Sequence, residues 1–186
     1  ALLGGVLTVS VFLLIRRSAR ARARQDWLQS GQVGLAEAVG GDLTLEQLAD
    51  NVLAFLSRYV GSQAAVLFAG QGDRFKRAGA LGVPADAPTP ETFRLKEGLL
   101  GQVAADDRPV LLSEVPEGYL TIGSALGRDT ARHLLIAPAR VDGSVNGVIE
   151  LGFLHPPGAL VLELFEAAAD AVGVALQSAR YRSELQ

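Results

Sequence analysis

The chain has 186 residues, 49% hydrophobic and 20% charged, enough apolar material for one packed domain with flanking helices and too much for a disordered chain. It has no cysteine and only two histidines, His133 and His155, which excludes disulfides, thiol nucleophiles and thioether-linked chromophores and leaves no multi-histidine metal centre. The net charge of −3 is uneven: five arginines lie between residues 16 and 24 without an acid, so the other 12 basic groups face 20 acids, a balance of −8 that repels a nucleic-acid backbone.

Residues 1–15, ALLGGVLTVSVFLLI, carry no charge. As a helix they cover about 22 Å, short of a bilayer core of roughly 30 Å. The arginines follow the apolar run, the order of a membrane exit on the cytoplasmic side and not that of a signal peptide. With no methionine in the chain, even at position 1, the expectation is a piece of a longer protein whose preceding residues complete the span. Residues 1–15 are thus read as the C-terminal part of a transmembrane helix at the inner (cytoplasmic) membrane. The alternative is a buried N-terminal helix of a soluble protein.

Residues 16–40 continue as a juxtamembrane helix with Trp27, Leu28, Val33, Leu35 and Val39 as apolar points. Gly31 and Gly34 weaken it by up to about 1 kcal/mol each. Gly40-Gly41-Asp42 breaks it, and Thr44 with Gln47 forms a capping box for the next helix. Gly61 closes that helix.

The core, 41–158, then reads as strands and short helices. AAVLFA (64–69) and RFKRAGAL (74–81) make a hairpin. Pro84, Pro88 and Pro90 mark a loop before a short strand at 93–95. A short helix follows at 99–105, then a strand at 109–115. Residues 116–127 are glycine-rich and polar and are predicted as loop around a short helix. RHLLIAPAR (132–140) and 145–154 form a second hairpin across Asp142-Gly143. Pro138 lacks an N–H donor and predicts an edge or bulge.

Residues 159–186 form the last helix, which carries two stripes. Phe165, Ala169, Val172 and Leu176 suit a sheet. Leu160, Leu164, Ala167, Ala171, Val174, Tyr181 and Leu185 follow spacings of three and four and suit a coiled-coil seam with a second copy. The alternative is a helix buried on both sides.

This order of elements, with two hairpins split by a central insertion, resembles the GAF domain. The opening string WLQSGQVGLAEAVGGDLTLEQLADNVLAFLSRYVGSQAAVLF is similar to the GAF start of bacterial membrane sensor histidine kinases. EGLLGQVAADDRPVLLSEVPEGYLTIGSALG and HLLIAPARVDGSVNGVIELGF are similar to the central segment and closing hairpin of the same group. The resemblance implies an α+β fold: a twisted antiparallel sheet with N- and C-terminal helices packed on one face, preceded here by the partial transmembrane helix. It also implies a homodimer, a cytoplasmic domain and a downstream kinase or other output domain in the same polypeptide. Regulation of a diguanylate cyclase or chemoreceptor, or a ligand-free dimerisation scaffold, are the alternatives. The cyclic-nucleotide signature of the family has no counterpart, and without cysteine neither bilin attachment nor sulfoxide reduction is open to this chain.

The resemblance puts the ligand pocket under the central loops, with Phe93, Tyr119, Thr121, Ser124 and His133 as candidate lining. The dimer and signal residues are Trp27, Leu28, Leu35, Leu160, Leu164, Ala171, Val174 and Leu185. No cofactor or metal site is expected, and a small-molecule ligand stays open. Glu150 shares a strand face with Val148 and Gly152 and is read as solvated or paired with Arg128 or Arg132. Glu114 and Glu117 are read as surface acids. No nucleophile-elbow, phosphate-loop or zinc-protease pattern is present, so no catalysis is expected within the chain.

Overall fold

The computed structural model describes residues 2–125 and 127–185, with side chains from residue 6 onward. Helix α1 (Leu2–Ala38) is followed by α2 (Leu45–Val60), β1 (Ala64–Gln71), β2 (Arg74–Leu81), β3 (Thr92–Arg94) and α3 (Gly98–Asp106). Then come β4 (Val110–Ser113), β5 (Thr121–Ser124), β6 (Gly127–Thr130), β7 (His133–Val141), β8 (Ser144–Phe153) and α4 (Val161–Glu184). Six strands form one antiparallel sheet in the order β3-β2-β1-β8-β7-β4.

The sheet separates two cores. On one face α2 and α4 pack, with α1 laid against both, around Leu53, Leu56, Leu67, Leu135, Ile149, Leu151, Phe153, Phe165 and Leu176. On the other, α3 and the connecting segments cover Val66, Phe68, Phe75, Phe93, Leu134, Ile136 and Val148. Strand alternation assigns these residues to their faces. β8 lies between β1 and β7 and is buried from Asn146 through Phe153.

The local devices read in the sequence are formed. Thr44 and Gln47 exchange both capping-box bonds, and Gly61 closes α2 at φ 77°. Pro138 lies beyond the reach of β4, whose pairing with β7 ends at Ile136, so its missing donor costs no ladder bond. Gly31 and Gly34, read as weak points, are places of close approach. A Cβ at Gly31 would meet Leu164 and Tyr59, and one at Gly34 would overlap the Phe55 ring.

One segment differs from the prediction. Residues 116–127, expected as loop around a short helix, contain β5, which pairs with β6 as a separate two-stranded sheet. Glycine and polar residues have low strand propensity, so cross-strand pairing and not composition makes this hairpin.

The apolar run at the start of α1 is a helix whose large apolar side chains from Val6 to Ile15 are each at least half exposed. No helix among the described residues is long and apolar enough to cross a membrane. Arg24 pairs with Glu163 near the start of α4, and Arg182 near its end bonds Asp42, just past α1. The two helices therefore run side by side in the same chain direction. Residues 6–20 are exposed ahead of the Arg24–Glu163 contact at the start of α4, and α4 ends beside Asp42 at the other end of the pair.

α4 meets the sheet most closely at Gly173, whose carbonyl accepts a 2.7 Å bond from Asn146 Nδ2. A Cβ there would overlap the Arg140 carbonyl. Gly173→Ala gains up to about 1 kcal/mol of helix propensity, but lifting α4 from β7 costs about 1–3 kcal/mol and should win. Urea denaturation should show the variant destabilised, and a more stable variant would contradict this packing.

Candidate functional site

Glu150 stands in the middle of β8, opposite Val66 of β1 and Ile136 of β7. The strand period points it away from the helices, with Val148 and Gly152, into the second core. Only 2% of the residue is exposed. It makes no hydrogen bond or ion pair among the described residues, and its Oε1 is fully enclosed without a partner. The expectation of a solvated or arginine-paired carboxylate is overturned. Arg128 binds Asp86 instead, at 2.8 Å. The central strand is covered on both faces from Asn146 to Phe153, so alternation does not bring those residues to water.

Burial pushes the Glu150 carboxyl up to about 7 from its ordinary 4.5. An unpaired carboxylate in apolar surroundings is costly, so the group keeps its proton through the acidic range. Tyr119 is the titratable neighbour that couples to it. Its phenol is pushed up to about 12, first by desolvation and then by the Glu150 charge. Two anions this close oppose each other, so the phenol stays protonated and able to donate.

Tyr119 belongs to the segment that lies over this face. Next to it, Leu120 is buried and its carbonyl accepts from Ala131 N at 3.0 Å. Leu120 and Ala131 sit on Gly152, where a Cβ would meet both. The β5–β6 hairpin extends from this anchor and is tied back by Gly123 N to Gly82 O at 2.9 Å and by the exposed Arg128–Asp86 pair. Tyr119 itself is 40% exposed. The arrangement is a lid pinned at Gly152, two residues from the carboxyl, with a tyrosine at its border.

Of the candidate pocket residues, Phe93 is in this core, stacked on Phe75 at 4.8 Å and edge-on to Phe68 at 5.1 Å. Thr121 is half-buried and Ser124 exposed, both on β5. His133 does not belong with them. It pairs with Phe153 and Ser113, on the helix side of the sheet, and its Nδ1 lies 3.3 Å from Ser113 Oγ. Its nearness in sequence to the lid misled the assignment, because Leu134 takes the lid face and leaves position 133 the other. Glu150 was the residue missed. The signal was available: GVIELGF is a continuous strand run, the mark of burial on both faces, and an acid within it is buried too.

The candidate dimer residues divide. Leu35 and Leu164 lie inside the domain's own core and face no partner. Trp27 is half-buried, 5.0 Å from Tyr59, whose hydroxyl donates to Trp27 O at 2.6 Å. Leu28 and Leu160 are half-buried, and Ala171, Val174 and Leu185 are exposed. A separate open groove at the β2–β3 edge is lined by Arg74, Lys76, Arg94 and Arg180 and does not reach Glu150.

Glu150 makes stability fall as pH rises. The unfolded carboxyl ionises near 4.5 and the folded one near 7, so the folded state holds the extra proton between them. The penalty accumulates from the lower value to the upper and reaches about 3 kcal/mol. Glu150→Gln removes this term. Urea denaturation at about pH 4 and about pH 8 should find the variant gaining on the wild type by that amount at the higher pH. A difference that does not change with pH would contradict the burial.

A family model described as the GAF domain matches residues 42–177. No curated protein matches the sequence. Among solved structures, the GAF domain of a phosphoenolpyruvate-protein phosphotransferase from Coxiella burnetii is 19% identical with a TM-score of 0.68, over 84% of this chain and 96% of that one. The GAF domain of A. aeolicus nlh2 in an inactive state is 18% identical with a TM-score of 0.62, over 86% and 99%. A free methionine-R-sulfoxide reductase from Neisseria meningitidis, in complex with its substrate, is 16% identical with a TM-score of 0.61, over 88% and 93%. At these identities the likeness is one of fold: a curled antiparallel sheet with helices on one side. The length of the family match decides membership, and this chain belongs to the GAF domain family.

Proposed function

We propose that the chain is the sensory and relay GAF module of a membrane-bound two-component sensor histidine kinase. It works as a homodimer, senses on the lid face and passes the change through α4 to an output domain in the same polypeptide. It performs no catalysis itself. The observation that carries the reading is the outer stripe of α4. Ala167, Ala171, Val174, Ser178, Tyr181 and Leu185 alternate spacings of four and three and all face solvent, with Val174 52%, Tyr181 58% and Leu185 87% exposed. A seam of that period matches a second copy of the same helix.

The membrane part of the reading rests on α1. Its exposed apolar residues, Val6 to Ile15, run directly into Arg16, Arg17, Arg20, Arg22 and Arg24. That order suits a helix leaving a bilayer toward an anionic cytoplasmic leaflet, with the domain on the cytoplasmic side. Because α1 and α4 lie side by side and leave at opposite poles, a shift of one displaces the other, and two packings of the pair would make the switch.

Val174→Glu with Tyr181→Glu places like charges in the seam and touches neither core. Sedimentation equilibrium should find the wild type dimeric and the variant's association weakened about hundredfold, near 2.7 kcal/mol, with an unchanged circular dichroism spectrum. A monomeric wild type, or a variant that dimerises equally well, would refute the reading.

A further inference from the structure

We infer that the lid face binds a small organic cation, a primary ammonium or a guanidinium on a short apolar body, with the Glu150 carboxylate as its counter-charge and Tyr119 closing over it. The inference rests on the reading of the chain as a ligand-responsive module and adds the chemical class of the ligand.

Among the described residues, Glu150 makes no polar contact that serves the fold. A buried polar side chain ordinarily repays its desolvation through hydrogen bonds within the protein. Glu150 has none among the described residues. Its sheet neighbours are Val66, Ile136, Val148 and Gly152, so no donor comes from β1, β7 or β8. An apolar residue of similar size would fill the position without the desolvation cost. The fold therefore gives no reason for an acid here.

The sign of the ligand follows from the charges within reach. Arg128, the lid's own cation on β6, is held outside by Asp86. Arg132 makes no ion pair among the described residues and is exposed. An anion entering beneath Tyr119 would meet a carboxyl and a phenol whose electrostatics already disfavour negative charge. A cation supplies the donors that Glu150 lacks, and in surroundings this dry a charge-assisted bond is strong. The Tyr119 ring offers the same cation a π-face.

Access and size follow from the lid. The exposed Arg128–Asp86 pair that helps hold the hairpin is screened by solvent and adds little, Gly123 N to Gly82 O is a single backbone bond, and Ile122 is the one β5 side chain that must leave the second core. Moving the hairpin about its pin at Leu120 and Gly152 uncovers Glu150 and leaves the six-stranded sheet intact. Val66, Ile136 and Val148, the neighbours of Glu150 on this face of the sheet, are apolar and suit a short apolar ligand body.

Amide-resolved NMR titration of the chain tests this with n-butylammonium chloride, using n-butanol as the neutral match and sodium butyrate as the anionic one. The expected result is saturable shifts at Val148, Gly152 and Tyr119 with butylammonium, at least about tenfold weaker binding of the other two probes, and about tenfold weaker butylammonium binding in Glu150→Gln. Equal response to all three probes, a preference for butyrate, undiminished binding in Glu150→Gln, or no saturable shift at those amides would overturn the inference. If Glu150→Gln does not fold, the probe series on the wild type decides alone. A dimeric chain that ignores butylammonium refutes this ligand class and leaves the relay standing. A monomeric chain that binds it refutes the relay and leaves the site standing.

Discussion

The two-residue period of one strand organises this molecule. β8 lies between β1 and β7 and is buried from Asn146 through Phe153, so its residues there face one or the other of the two layers. Ile149, Leu151 and Phe153 hold the helical layer, and Val148, Glu150 and Gly152 hold the lid. A slip of one residue would exchange the sets and send the carboxyl into the helices, so the register is strongly specified. The same strand ties both layers together. Asn146 donates to Gly173 of α4, and a Cβ at Gly147 would overlap Leu176, so the sheet and α4 are in near-contact just before Glu150. A change on the lid face is therefore a few residues from the exit helix.

The helical layer is built for close approach more than for bulk. Gly31 and Gly34 let α1 settle on Tyr59, Leu164 and Phe55, and Gly173 lets α4 settle on β7. Such contacts fix the spacing of helices within tenths of an ångström, because packed interiors resist both voids and overlap. They also leave the outer stripe of α4 free of intramolecular work. The ion pairs between α1 and α4 are exposed at both ends and add little energy, but they fix the direction in which the helices run.

Much of this was legible in the sequence. Helical periodicity found α2 and α4 and the sheet-facing stripe of Phe165, Ala169, Val172 and Leu176, all four of which are buried. The capping box at Thr44 and the edge role of Pro138 came from local chemistry that needs no tertiary context. What stayed hidden depended on that context. The β5–β6 hairpin, with Gly123, Ser124, Gly127 and Asp129 among its residues, has weak strand propensity and is fixed by its pairing. Leu164 fits the outer stripe by spacing, yet Gly31 opens a place for it inside. His133 was assigned by proximity along the chain, and strand phase reversed it. Glu150 was placed on the right face, but one strand's alternation does not say whether a lid covers that face.

The ionisation state of one carboxyl, that of Glu150, decides most about the lid face. Selective 13C labelling of glutamate, with the Glu150 resonance assigned by its loss in Glu150→Gln, gives its titration directly by NMR. The expected midpoint is about 7, well above the ordinary 4.5. A midpoint in the ordinary range would mean that Glu150 reaches water or a hidden donor, and would contradict the dry, unpartnered site on which the account rests.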